Sequence, residues 1–418
     1  MYEDITDELN QFLAQYRYDE HHFQKVILSS SYEEFRLDAL PDNYLVVCDD
    51  NIYSIALKLF PENKIVSLGK AIGADIKIAE SLARDYAGRT LIALGSGTIN
   101  DLCKYASFIS NNDYFLIPTA ASMNGYLSAF ASLKFDGQNK SVKTHLPKNI
   151  FINLTIIREA PVRLLYAGLG DLFCSVNTLI EWQLGSIFAQ NGYDESLREK
   201  ITGLEDKFLD QLELNKLSDT KISSFMKLIL YSGLVMTIAG GSYPASQSEH
   251  IFTHSLEILY PRAASQLLHG EKVAFFTKIS LRIWEKLLSI DNLFERLDEK
   301  NYHLLYKEVA LLELDLPANS LENCYKNKVL NLKQIKKSIK NEKRAWNIFR
   351  SNVVSALGNS KYYSRVKVLD IVTAHLEQVL LSNLRIENAI KISPFIRDRF
   401  TIADLYVLTA NSVEDLIT

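Results

Sequence analysis

"TLIALGSGTINDLCKY" (Thr90–Tyr105) decides the fold. A run of apolar residues too short for a helix ends in Gly95, Ser96 and Gly97. Residues with helical spacing follow. Strand, glycine turn, helix is the start of a crossover unit in a parallel sheet. Without a Cβ, the glycines let backbone N–H groups approach a phosphate, and the positive end of the following helix favours its charge. Ser96 or Thr98 adds a hydroxyl. The pattern is neither GxGxxG nor GxxxxGK[ST], and a tight strand-to-helix turn wants glycine for steric reasons alone.

The flanking segments repeat the alternation. "YLVVCDD" (Tyr44–Asp50), "NKIVSLG" (Asn63–Gly69), "DYFLIPTAAS" (Asp113–Ser122) and "NIFINLT" (Asn149–Thr155) read as strands, and "DIKIAESLARDYAG" (Asp75–Gly88) as an amphipathic helix closed by glycine. Asp49, at the end of an early strand, is placed to accept hydrogen bonds from an adenosine ribose, and its charge disfavours a 2′-phosphate. A helix cap near Asn51 explains the same residue. After about Pro161 the spacing becomes helical: Arg163–Gln190, Glu195–Leu217, Ser223–Ala239, His250–Leu259, Glu271–Leu288 and most of the tail. The expectation is an α/β nucleotide-binding domain over residues 1–160 and an all-α domain over 161–418, with the active site in the cleft between them.

Composition bounds the function. The chain has 418 residues, 46 basic against 50 acidic side chains and a net charge of −4, which argues against a nucleic-acid or membrane-surface binder. Cys48, Cys103, Cys174 and Cys324 are scattered and form no CxxC pair, which points to a reducing compartment. No signal peptide or membrane span is apparent, so a cytoplasmic protein without membrane insertion is expected.

"SEHIFTHSLEILYPRAASQLLHGE" (Ser248–Glu271) holds three of the eight histidines. His250 and His254 are four apart and share a helix face. His269 stands at the start of the next helix. Asp171, in "YAGLGDLFCS", is an acid just past two glycines where the core has no need of one. A carboxylate with two imidazoles leaves a coordination position open, as catalysis requires; the residues alone leave open which histidines bind.

"GSGTINDLCKYAS", "PTAASMNGYLSAFASL", "AGLGDLF", "YPASQSEHIFTHSLE" and "HGEKVAFFT", in this order, resemble the successive motifs of the sn-glycerol-1-phosphate dehydrogenases. These belong to the iron-containing alcohol dehydrogenase and dehydroquinate synthase superfamily. The resemblance spans roughly Tyr44–Ile279, and "RDRFTIADLYVL" resembles the family's last helix; the first 40 or so residues and much of Leu293–Tyr363 match nothing. It implies a dehydroquinate synthase-like fold binding NAD or NADP and one divalent metal. It assigns Asp171, His250 and His269 as metal ligands, with zinc best suited and nickel, iron or manganese also admissible. His254 becomes a residue near the metal that assists proton transfer or orients the substrate. Ser175 stands where longer-chain relatives carry a fourth ligand. Gly95, Ser96, Gly97 and Thr98 would hold the pyrophosphate; Thr119, Ser122 and Ser128 would line the adenine and nicotinamide side. Asp101 reads as a first-turn helix acid rather than a cofactor contact.

Two departures stand out. The family's PTAASxDG is PTAASMNG here, so a substrate-facing acid has become Asn124, near-isosteric but neutral and unable to act as a base. Asn153 also stands where an acid is common. The expected reaction is reduction of a phosphorylated ketone, dihydroxyacetone phosphate to sn-glycerol 1-phosphate or a related polyol phosphate, although no cluster of basic residues near the motifs marks a phosphate site. The alternatives are a cyclising lyase that uses NAD transiently and a non-catalytic nucleotide-binding homologue. The expected partner is a small phosphorylated molecule, and a homo-oligomer, dimer or larger, is expected.

Overall fold

A computed structural model describes residues 2–35, 37, 40–70, 72–135, 137–187, 192–212, 218–312, 314, 316, 319–376 and 385–409. The chain divides into two compact units. The first comprises Met1–Phe135, Asn139–Gly168 and Glu199–Ser242; the second holds Leu169–Arg198 and the chain from Tyr243 onward. The grouping is therefore not a single cut at residue 160: the segment Glu199–Ser242 returns to the first unit.

The first unit is built on nine strands: β1 (Tyr2–Asp4), β2 (Lys25–Ser29), β3 (Tyr44–Cys48), β4 (Ile65–Ser67), β5 (Thr90–Gly95), β6 (Tyr114–Pro118), β7 (Phe130–Phe135), β8 (Gln138–Lys143) and β9 (Asn149–Asn153). Seven form one sheet in the order β1-β2-β9-β6-β5-β3-β4, and β7 pairs with β8 separately. Only β1 runs antiparallel within the large sheet. Both faces are covered. Val46, Cys48, Ile92, Leu94, Phe115 and Ile117 bury one side, and Leu45, Val47, Leu91, Ala93 and Leu116 the other. That is why these strands read as continuous apolar runs instead of alternating ones. The first 30 residues, which match no family motif, supply β1, the helix Thr6–Gln15 and β2, extending the sheet beside β9.

The Asp219–Ile238 helix is long and apolar enough to cross a membrane by composition, which the sequence reading overlooked. Most of it is buried in the first unit instead. Its Gly233 lies against the Leu127 backbone, and its Thr237 hydroxyl donates to the Leu127 carbonyl (3.0 Å) and accepts from Ala129 N (2.8 Å).

In the second unit the described regular structure is nearly all helical, with Trp182, Trp284, Tyr302, Phe252, Phe276 and Tyr406 in its interior. The basic run Tyr325–Arg344 lies on the long Ser320–Leu357 helix. There Lys328 is fully buried and meets Asp404 at 2.8 Å, and Asp404 also accepts from Tyr302. An α/β unit and a helical unit are thus the expected fold class. All four cysteines are buried free thiols.

Candidate active site

The metal-ligand candidates lie on three helices of the second unit. His250 is the third residue of the Ser248–Leu259 helix and His269 the first of the His269–Leu288 helix. Asp171 lies inside the Val162–Phe173 helix, 2 % exposed. Gly168 and Gly170 lie within that helix, where the absence of a side chain allows close packing. A Cβ on Gly170 would stand 2.4 Å from the Gly270 carbonyl oxygen. The Asp171 and His269 backbones can approach because Gly170 has no side chain.

One ligand atom from each of Asp171, His250 and His269 lies within 4.8 Å of the others. His250 Nε2 is 3.3 Å and His269 Nε2 3.8 Å from Asp171 Oδ1. Two ligands about 2.1 Å from a shared tetrahedral ion stand roughly 3.4 Å apart. The observed separations straddle that value, and the donor set, one carboxylate and two imidazoles, suits a divalent transition metal. Burial opposes a charge on His250, yet its hydrogen bonds to Asp171 and Glu249 and their charges raise its pKa to about 9. These acids thus form a cation-seeking site. Ser175 is no part of this group and heads the next helix, Ser175–Ile187.

His254 lies one helical turn beyond His250, with its ring stacked on His269 at 5.8 Å between centroids. Its Nδ1 is 3.0 Å from Glu257 Oε2, and Glu257 Oε1 accepts from Lys272 Nζ at 2.6 Å. Burial works to raise the Glu257 carboxyl, but His254 and Lys272 hold it well below the usual range. Sequence reasoning missed Glu257, although its i,i+3 spacing to His254 was legible.

Also missed were Arg397 and Arg399. Arg399 stacks 4.3 Å over the Tyr243 ring and donates to the Ser246 carbonyl, just before the histidine-bearing helix. Arg397 lies close enough for its charge to be felt by His254. Burial first, then the Arg399 charge, brings the Arg397 pKa down to about 10. Arg397 thus stands near the His254–Glu257 pair and Arg399 near Tyr243 and Ser246, both contributed by a segment more than a hundred residues downstream.

The first unit gathers the dinucleotide candidates. Asp49 follows β3, Gly95 ends β5 and Thr119 follows β6, at the carboxyl ends of three neighbouring parallel strands. The chain steps outward from β3 to β4 and then returns across β3 to β5. This reversal of strand order is where open α/β sheets leave a ligand crevice. Ser96 precedes the Gly97–Ile109 helix, so Gly97 and Thr98 form its first turn. A Cβ on Gly97 would lie 2.5 Å from Met123 Sδ, which brings the glycine turn against PTAASMNG. Asp49 accepts from Ile52 N at 3.1 Å, so it does cap the following turn. Ser122 is half-buried, and the buried Ser128 hydroxyl accepts from Phe130 N at 3.2 Å.

Asn124 is buried at 6 % exposure, between Met123 and Gly125. The Gly125 carbonyl accepts from Lys104 Nζ at 3.2 Å. Lys104, fully buried, also donates to the Phe130 carbonyl and to Asp101 Oδ1, and Asp101 Oδ2 accepts from Ser132 N. Asp101 and Lys104 thereby tie the loop to the glycine-turn helix. Asn153 caps the Leu154–Glu159 helix by accepting from Thr155 N and Ile156 N.

The family model of iron-containing alcohol dehydrogenases matches residues 43–161. A glycerol-1-phosphate dehydrogenase [NAD(P)+] of Staphylothermus marinus is 31 % identical over 291 residues, covering 64 % of this chain and 80 % of that protein. The chain belongs to the glycerol-1-phosphate dehydrogenase family. Another member, from Methanothrix thermoacetophila, is 34 % identical over 209 residues, 50 % of this chain and 58 % of its own length. Matches to three of the archaeal members span only 58 to 62 % of those proteins. The crystal structure of a probable glycerol dehydrogenase from Sinorhizobium meliloti shares the fold. It has a TM-score of 0.54 at 14 % identity, covering 99 % of this chain and 95 % of that one.

Proposed function

We propose that the protein is a metal-dependent, NAD(P)-linked dehydrogenase. Its substrate is a phosphorylated ketone, dihydroxyacetone phosphate reduced to sn-glycerol 1-phosphate or a related polyol phosphate. The observation that carries this reading is the convergence of Asp171, His250 and His269 to within 4.8 Å. The names of the family members support the cofactor and the substrate class.

Asp171, His250 and His269 would hold the ion, zinc by preference; Asp49, Gly95–Thr98, Thr119, Ser122 and Ser128 would hold the dinucleotide. When bound, a divalent ion supplies a Lewis acid for a carbonyl oxygen and a nicotinamide supplies hydride for its carbon. His254 relays from water, through Nε2, the proton that completes the hydroxyl, while Glu257 keeps Nδ1–H engaged. Lys272 locks Glu257, so the imidazole can exchange a proton without rotating. Arg397 and Arg399 supply the positive charge for the substrate phosphate. Asn124, being neutral, orients and does not take a proton.

The test is a panel of phosphorylated ketones with NADH and NADPH on protein loaded with individual divalent ions. Net nicotinamide oxidation with a phosphorylated ketone is expected. Substrate consumption with no net change in NADH would contradict the reading and indicate a cyclising lyase.

A further inference from the structure

Behind His250 lies a buried polar cluster that the reaction above does not use. Asn177, Glu181, Ser248, Glu249, Ser280 and Trp284 are each 2 % exposed or less. Burying two carboxylates is costly unless every polar atom finds a partner. Here the partners impose one arrangement. An indole N–H can only donate. Trp284 Nε1 lies 2.9 Å from Asn177 Oδ1, so the Asn177 carbonyl faces the indole and its NH2 faces away. That NH2 has two hydrogens and meets two acids, Glu181 Oε1 at 2.6 Å and Glu249 Oε2. The other oxygen of Glu249, Oε1, accepts from Gln247 N at 2.7 Å and stands 2.8 Å from His250 Nδ1. Glu181 is anchored by the Ser248 hydroxyl and by Ile402 N at 3.1 Å.

Resting on the metal reading above, we infer that Glu249 is a positioning residue. It takes the Nδ1–H of His250, leaving Nε2 for the ion, and Trp284 acting through Asn177 holds it in place. A second cluster of possible ligands, Cys174, Glu249 and His250, is equally compact. It does not compete. The 2.8 Å from Glu249 to Nδ1 is a hydrogen-bond distance, shorter than the roughly 3.4 Å between two ligands of one ion. A proton lies there, and a carboxylate accepting it orients the ring and makes Nε2 a better ligand.

The arrangement makes a test that a generic packing role would not pass. In Glu249→Gln no amide orientation works. With its NH2 toward Asn177 it meets another NH2; turned round, it meets Gln247 N–H and His250 Nδ1–H. Exchanging acid and amide across the contact, E249Q with N177D, gives the new amide an acceptor while its oxygen again serves His250. Burial pushes the Glu181 pKa up, so Glu181 can carry the proton that the new acid beside it needs.

The experiment is competition for Zn2+ or Co2+ between the full-length chain and a chromophoric chelator, with thermal melts to confirm folding. E249Q is expected to bind roughly 10- to 100-fold more weakly, with most of the loss recovered in E249Q/N177D. E249Q binding within about twofold of wild type, or a double variant as weak as E249Q, overturns the inference. If E249Q does not fold, imidazole 15N spectra of the Zn2+-loaded wild type decide. A proton on His250 Nδ1 supports the inference, and one on Nε2 overturns it. A folded wild type that takes up neither ion defeats the metal reading itself, a result separate from the variants.

Discussion

Replacing Gly170 with alanine should cost the protein its metal more than its fold. The added Cβ would sit 2.4 Å from the Gly270 carbonyl oxygen and 2.9 Å from Ala274 Cβ. Ordinary contacts begin near 3.4 Å, so the two helices must part by about 1 Å. The residues that follow Gly170 and precede Gly270 are the proposed ligands Asp171 and His269, with Oδ1 and Nε2 3.8 Å apart. Parting by 1 Å takes that to about 4.8 Å, beyond the roughly 4.2 Å that two ligands at 2.1 Å can span across one ion. The stability change is smaller. Overpacking costs about 1–3 kcal/mol, and replacing a helical glycine returns up to about 1 kcal/mol. Chelator competition should show metal affinity down at least tenfold, on the order expected for a displaced ligand. Gly203→Ala is the control, a helical glycine whose Cβ would meet nothing within 4 Å; it should leave metal binding unchanged. A Gly170→Ala protein that binds metal as tightly as wild type would refute this account of Gly170.

Other outcomes follow from buried charges. Lys104→Met leaves Asp101 buried without its cation and releases the Gly125 and Phe130 carbonyls. It should destabilise by about 3–5 kcal/mol in thermal melts and weaken NAD(P)H binding measured by fluorescence. Glu181, ordinarily near 4.5, is raised to about 8 by burial and the Glu249 charge. The folded chain keeps a proton there that the unfolded chain has lost, so this stabilisation is full below pH 4.5 and is lost as pH rises to about 8. Wild type should therefore lose melting temperature relative to Glu181→Gln across that window; parallel curves would contradict the assignment.

Much of the first unit was legible because strands buried on both faces leave unbroken apolar runs, as in "YLVVC" and "TLIALG". β1 was not, since a three-residue edge strand leaves no pattern. β2 is visible as "KVILS", but its pairing with β9 spans more than a hundred residues. His250, His254 and His269 stand out in the sequence through their spacing and the family motif. Glu249 does not stand out, because neighbouring helix residues ordinarily point apart, whereas here its Oε1 accepts from Gln247 N and lies 2.8 Å from His250 Nδ1. Arg397 and Arg399 could not be placed from the sequence because tertiary folding alone carries "RDRF" to the residues before the Ser248–Leu259 helix, where Arg399 donates to the Ser246 carbonyl. The packing role of Gly168 and Gly170 was not legible, because only the fold shows which backbones they meet; Gly168 lies against the Ala121 carbonyl.

The most direct measurement is the metal content of the purified chain by elemental analysis, alongside Asp171→Asn, His250→Ala and His269→Ala. Wild type should carry one divalent ion per chain, and each folded variant should lose it together with ketone reduction. A variant that keeps both its ion and its turnover would contradict the convergence of these three side chains on one cation.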